Sequence, residues 1–344
     1  QNLIEAARPV VKSMQDDTRD ERSISKEKLV QMSAMKKTLL SIRKVIGSEM
    51  TASLRGELMR LIDTVSLFTD KEYDVIRYCN MDEKGHMIFC ATTADLTERL
   101  QKTLWDNGKP ILLTSGTLAV KDDFSRFKEE CGLMGNTRVT ESVSLSPFDY
   151  RNNCLLYIPD NVPKRRQDDM KTYYAELARD IASLIEISHG HALVLFTAYS
   201  AMSAVKELLT EYLLPYPIFT MSRNAVHTAD QFKASRNGIL MGTGAVWEGF
   251  DFPGDAVSML IIPRLPFATP DPISNEKQKH YASLKDFIRA VAVPDMQIKL
   301  RQGFGRAIRL ETDTCVVAIL DERTPRGRRY RPDAKDALPD MRQT

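Results

Sequence analysis

Beyond about residue 110 the sequence alternates short β-branched or aliphatic runs with longer amphipathic stretches, and few folds accept that alternation. Short apolar runs bounded by turn residues are strands of a sheet buried on both faces. The amphipathic stretches between them are the crossovers that parallel strands need. The expected strands are Ile111–Thr114, Cys154–Ile158, Ala192–Phe196, Gly238–Gly242, Val257–Ile262 and Thr314–Leu320. The expected helices include Asp168–Ser188, Ala201–Leu214, Asn275–Val291 and Gln297–Ile308. The class is therefore α/β, a parallel sheet covered by helices.

The N-terminal third reads differently. From Ser23 to Phe68 apolar residues recur at intervals of three and four, as Leu29, Met32, Leu39, Ile42 and Ile46, then Leu54, Leu58, Leu61 and Val65, with Gly47 between the sets. That spacing predicts a helical hairpin. Packing within a larger protein and a partner-binding or coiled-coil hairpin would produce the same pattern. The chain opens without Met and directly in helical-looking sequence, as a fragment of something larger would.

With 344 residues, 43% of them hydrophobic, the chain can bury about two ordinary cores. It contains no apolar run of about 18 residues and no signal-peptide pattern at its start, so no membrane partner and a cytoplasmic location are expected. Cys79, Cys90, Cys131, Cys154 and Cys315 are scattered and odd in number, and no Cys-x-x-Cys occurs; reduced, mostly buried thiols are expected, with neither a metal nor an iron–sulfur site in this segment. The histidines lack metal spacing too, and His189-Gly-His191 reads as a turn. A net charge of +2 excludes a uniformly basic nucleic-acid binder, so any such contact must be local. The segment after Asp321, with Arg323, Arg326, Arg328, Arg329 and Arg331, reads as a solvated tail or, alternatively, as a backbone contact to DNA.

The segment that carries most chemistry is Gln302-Gly-Phe-Gly-Arg306-Ala-Ile-Arg309. On a helix at about 100° per residue, Gln302, Arg306 and Arg309 would share one face. Two guanidiniums beside an amide form a multi-donor surface suited to the charge of a transferring phosphoryl group, which is how an arginine finger is built. An ion-paired surface stripe is the plainer alternative, but it has no need of glycines at 303 and 305.

A second segment, Gly238 to Asp255, is a strand followed by a glycine-rich turn with acidic residues. A dinucleotide fingerprint begun at Gly242 would need glycine where Trp247 stands, and a P-loop begun at Gly244 would need Lys and Ser/Thr where Phe250 and Asp251 stand. Gly108-Lys109 is followed by Pro110 and also fails. No phosphate cradle of the usual kind is present, and Val316 to Glu322, although it imitates a metal-binding strand end, reads as a core strand with an acidic terminus.

Four blocks in order give the chain a specific likeness. Leu112-Leu-Thr-Ser-Gly-Thr-Leu118, Ala192 to Tyr199, Gly242 to Gly254 and Gln302 to Arg309 resemble motifs III, IV, V and VI of XPD/DinG-type superfamily 2 DNA helicases. Ser146-Pro-Phe148, Leu265-Pro-Phe267, Pro270-Asp-Pro272 and Leu320-Asp-Glu-Arg323 are similar as well, and Gly116 departs mildly from the family's alanine. The likeness covers residues 90 to 323 and is closer to DinG than to XPD.

The resemblance implies a RecA-like second motor domain at 119–330, preceded by an arch-type helical insertion at 1–105 and a strand, 106–118, belonging to the first motor domain; 331–344 would be a tail. It implies Arg306 and Arg309 as catalytic donors to an ATP site completed by the protein's own N-terminal motor domain, and Gln302, Glu248, Gly249 and Asp251 as ATP contacts. Ser115 and Thr117 would couple nucleotide state to strand position, while Thr197, Tyr199, Ser200 and Trp247 would contact single-stranded DNA. Trp247 has an equally good reading as a core residue. ATP and Mg²⁺ would be the cofactors and translocation would run 5′ to 3′, with this chain inactive alone. Two rivals are the motor of a DinG-like nuclease, whose acidic cluster would have to lie upstream, and a non-hydrolysing DNA- or partner-binding module.

Overall fold

The computed structural model describes residues 24, 26–46, 51–70, 75–81, 87–93, 95–120, 122–221, 225–252 and 254–344. They fall into two compact units. One comprises the described residues up to Asp106 together with Thr269–Leu284; the other is Asn107–Ala268 with Lys285–Thr344.

In the first unit, helices α1 (Lys26–Ile46) and α2 (Ala52–Thr69) form the hairpin that the periodicity predicts. Met32 and Leu39 of α1 are buried with Leu58, Ile62, Val65 and Phe68 of α2, whereas Leu54 and Leu61 of the expected apolar set are exposed, so the buried stripe of α2 runs through Ile62 rather than Leu61. Lys36 closes the base of the pair by an ion pair to Asp70 at 2.5 Å, which holds the Asp70 carboxyl below its usual range. A two-stranded antiparallel ribbon, β1 (Ile76–Met81) and β2 (Met87–Thr92), follows and had no counterpart in the expected elements. Its Phe89 ring meets Phe68 edge-on at 6.2 Å.

The second unit is built on a seven-stranded sheet of order β5-β6-β4-β7-β8-β3-β9, comprising β3 (Cys154–Tyr157), β4 (Ala192–Leu195), β5 (Ile218–Thr220), β6 (Ile239–Gly242), β7 (Met259–Ile262), β8 (Cys315–Ile319) and β9 (Arg342–Gln343). Every pairing is parallel. β4, β6 and β7 are buried at every residue, and alternate side chains feed two separate layers. Leu193, Leu195, Leu240, Leu260 and Ile262 pack with Phe232 of α5 (Ala225–Ala234) and with Met296, Leu300 and Phe304 of α6 (Val293–Phe304). On the other face, Val194, Met241 and Ile261 pack with Leu177, Ile181 and Ile185 of α3 (Met170–Ile187) and Met202 and Val205 of α4 (Tyr199–Leu209). The fold is an α/β RecA-like sheet covered on both faces.

Several expectations need correction. Ile111–Thr114 forms no strand; Leu112 is 89% exposed, because no described strand lies beside it to complete a ladder. The single helix expected over Asn275–Val291 is a capped helix at Pro272–Lys279, then Leu284–Phe287 and a π-helical turn at Ile288–Ala292; the break falls where the chain passes from one unit to the other. Residues 321–344 are not a solvated tail. Helix α7 (Arg331–Asp336) and β9 belong to the sheet unit, with Ala334, Ala337, Leu338 and Met341 in its core. His189-Gly190-His191 is the expected turn, all three at positive φ, and a Cβ on Gly190 would lie 2.1 Å from the Asn237 carbonyl oxygen. Cys79, Cys154 and Cys315 are buried, and Cys90 and Cys131 are partly exposed.

Met341, 4% exposed, tests whether the C-terminal segment is integral. Met341→Ala should lower unfolding free energy by about 2–5 kcal/mol, read as a shifted urea midpoint; an unchanged midpoint would show that the segment is peripheral.

Candidate functional site at the strand ends

The loops that leave β6 and β4 and the turn that joins α6 to β8 make up the candidate site. The loop after β6 begins with Gly242, where any side chain would strike Val246 at 2.5 Å, and passes through Gly244 at positive φ. A 3₁₀ turn at Gly244–Trp247 then lifts Glu248 and Gly249 into solvent, the Gly249 N–H donating to the Ala245 carbonyl at 2.9 Å. Trp247 points the opposite way. It is 1% exposed, and its indole N–H donates to the Phe196 carbonyl at 2.9 Å. The ring therefore offers no face to a base, and the core reading of Trp247 replaces the DNA-stacking one.

α6 brings up the second element but ends at Phe304, four residues before the expected Ile308. Gly303 and Gly305 explain the stop, since glycine weakens a helix and the chain turns through Gly305. Arg306 and Arg309 thus lie in the following turn, and their juxtaposition does not come from a helical face. It comes from two carboxylates. Asp313, 5% exposed, accepts the Arg309 and Leu310 backbone N–H groups at 2.8 Å each, fixing the turn. Asp251 receives both guanidiniums: Arg306 Nη1 at 3.2 Å, and Arg309 Nη2 on the same oxygen.

Arg306 also donates to the Phe250 carbonyl at 2.5 Å and to the Gln302 carbonyl at 3.3 Å. Burial first, and then the adjacent Arg309, hold its pKa below the usual arginine value against the opposing pull of Asp251 and Glu248. A guanidinium so placed stays charged at any physiological pH. The arrangement presents two forked donors around one exposed carboxylate, a geometry that accepts a tetrahedral oxyanion in the carboxylate's place.

Trp247 connects the parts. A Cβ on Gly303 would come within 2.7 Å of its ring and 3.0 Å of Leu195 Cδ1, so the motif VI helix, the motif V turn and β4 meet at one contact. Thr197, Tyr199 and Ser200 are exposed where β4 gives way to α4, with Tyr199 63% exposed. Ser115 and Thr117 hydrogen-bond each other at 3.2 Å, and two residues on, the Ala119 carbonyl accepts from Arg301 of α6 at 3.3 Å. Sequence reasoning missed Asp313 and Arg301; an aspartate four residues past Arg309 was the available signal for the first.

The match of residues 181–341 to the helicase C-terminal domain family covers both loops and the turn. A DinG ATP-dependent DNA helicase of Photobacterium profundum is 31% identical across 76% of the chain and 38% of its own length. The chain carries a C-terminal region of the DinG/XPD-type superfamily 2 helicases. A YoaA ATP-dependent DNA helicase of Haemophilus influenzae is 29% identical over 80% of the chain and 41% of its own length, and a Staphylococcus saprophyticus protein named 3'-5' exonuclease DinG is 28% identical over 72% and 27%. The chain thus spans between about a quarter and two fifths of these curated relatives. An XPD helicase structure superposes with a TM-score of 0.60 at 18% identity, covering 99% of the chain and 62% of that structure. No helix among the described residues is long and apolar enough to cross a membrane.

In this helicase region Gly303→Ala should cost about 1–3 kcal/mol through overpacking on a rigid buried ring. Thermal unfolding and near-ultraviolet circular dichroism at the tryptophan would read it; an unaltered spectrum and midpoint would mean that α6 shifts freely against Trp247.

Proposed function

We propose that the sheet unit is the second motor domain of an ATP-dependent DNA helicase, and that it acts on an ATP held by a first motor domain. The observation that supports this most is the convergence of Arg306 and Arg309 on the exposed Asp251 carboxylate. In this reading the γ-phosphate displaces Asp251, and both arginines stabilise charge as the phosphoryl group leaves. Gln302, Glu248 and Gly249 flank the nucleotide. Mg²⁺ arrives with the triphosphate and falls to the first motor domain, since the loop from Gly242 to Gly254 lacks the lysine of a phosphate cradle.

Residues 106–118 then complete the sheet of the first motor domain, which accounts for the exposed Ile111, Leu112 and Leu113. Ser115 and Thr117 pass the nucleotide state toward α6 by way of Arg301. Thr197, Tyr199 and Ser200 hold single-stranded DNA by its backbone, with translocation 5′ to 3′, and residues 1–105 are the arch-type insertion. A soluble, cytoplasmic DNA-repair protein is the setting that fits. The exonuclease name of one relative motivates a second reading, in which the same motor serves a nuclease elsewhere in the whole protein; degradation of 3′-labelled DNA by the full-length protein would favour it.

In the full-length protein, Arg306→Ala should lower DNA-stimulated ATP hydrolysis by about 10³-fold or more, with single-stranded DNA binding retained. Hydrolysis at the native rate would overturn the assignment.

A further inference from the structure

β7, β8 and β3 are neighbours in the sheet, so the loops leaving their C-terminal ends lie side by side. Each brings a cation: Arg264 after β7, Arg323 after β8 and Arg165 after β3. A single buried carboxylate serves the group. Asp321, 3% exposed, is already taken, accepting Arg323 Nε at 2.8 Å, Arg323 Nη2 at 2.6 Å and the Leu265 N–H at 2.7 Å.

Arg264 is half-buried and, among the described residues, has neither an ion pair nor a hydrogen bond. Burial, then Arg165 and Arg323, depress its pKa, only partly opposed by Asp321 and Tyr173. The buried Tyr173 of α3 feels Arg264 and Arg165, and its pKa is pushed up to about 12 by burial despite them. A partly desolvated guanidinium that is only partly compensated is costly, and an incoming anion would offset both the desolvation and the repulsion.

Beside this cluster lies a cleft of about 580 Å³ between the Asp160–Lys164 loop and the Glu322–Tyr330 loop. Arg328 and Arg329 line it, and the Tyr330 ring carries Arg329 at 5.1 Å and Arg323 at 5.8 Å. Arginines interleaved with an aromatic ring along a groove suit a single strand better than a compact ion. The cluster also extends a row. β4, whose exit carries Thr197 and Tyr199, is next to β7, and three strand intervals from β4 to β3 span roughly 14 Å, the reach of a short oligonucleotide.

We propose that Arg165 and Arg264 bind backbone phosphate of a single strand that runs on from the β4 exit, and that the Arg328–Arg329 wall of the cleft continues the track. The site deepens the DNA-binding reading above and rests on it. Guanidiniums match phosphate by paired N–H donors, so arginine is required rather than charge alone.

The test is equilibrium binding of fluorescein-labelled oligo(dT) to the full chain across a salt series. Arg165→Gln/Arg264→Gln should bind about tenfold more weakly near physiological salt, and its log–log salt slope should be smaller by about 1.4, since each phosphate contact on a single strand contributes about 0.7. Its melting temperature should be equal or higher, because like charges have been removed. If the double variant fails to fold, the exposed Arg165→Gln alone should reduce the slope by about 0.7. Unchanged affinity and slope, in a background where Thr197→Ala/Tyr199→Ala weakens binding, would overturn this site and leave the DNA reading standing. Absence of oligonucleotide binding by the native chain would overturn both. Inorganic phosphate that raises the melting temperature as much as oligo(dT) at equal phosphate concentration would overturn the strand as the ligand.

Discussion

The working edge of the sheet unit depends on one contact, the Trp247 indole against Gly303. The ring lies between α6 and β4 and gives its N–H to the Phe196 carbonyl, the first one past the end of β4. A backbone carbonyl at the end of a parallel strand, buried and beyond its last ladder bond, needs a donor, and an unsatisfied one costs about 1–3 kcal/mol. The indole meets that need and at the same time fills the space that a glycine opens. Motifs IV, V and VI are therefore joined by packing and by one hydrogen bond, and α6 and the exit of β4 share one rigid ring as a neighbour.

The sheet was legible from the sequence because parallel strands buried on both faces must be continuously apolar, and β3, β4, β6, β7 and β8 obey that rule. β5 escaped notice as a three-residue strand preceded by Pro215 and Pro217, and β9 because Arg342-Gln343 has no apolar signal; its place at the sheet edge makes it a strand. The C-terminal core residues were hidden by arginines. Yet Ala334 of α7 and Ala337, Leu338 and Met341 in the turn between α7 and β9 are all buried, although the helix ends at Asp336. Ile111–Thr114 is the reverse case: a strand-like sequence is not a strand without a neighbouring ladder.

At the candidate site, the sequence identified the residues but not the geometry that unites them. Helical spacing accounts for Gln302, Arg306 and Arg309 only if the helix continues, and the same glycines that permit close approach end it at Phe304. Asp313 and Asp251 supply the order that the helix does not. Both act from a distance in sequence or through backbone N–H groups, and neither effect has a periodic signature. The role of Trp247 was open in the sequence for a related reason: a tryptophan in a glycine-rich turn can face either way, and the Phe196 carbonyl decides it.

Asp251 also explains how two like charges remain side by side. Arg306 and Arg309 repel each other, and a shared carboxylate oxygen is what holds them in register. That carboxylate is 64% exposed, so its pairing is well screened, and exposed ion pairs contribute only about 0–1 kcal/mol. A triphosphate oxygen carrying more charge in a drier cleft would outcompete it at little cost. The arginines would then keep the directions they already have, which are set by the Phe250 and Gln302 carbonyls for one and by the Asp313-bound turn for the other. In the proposed function, pre-orientation of this kind leaves little reorganisation for the moment of charge transfer, and it relies on backbone contacts.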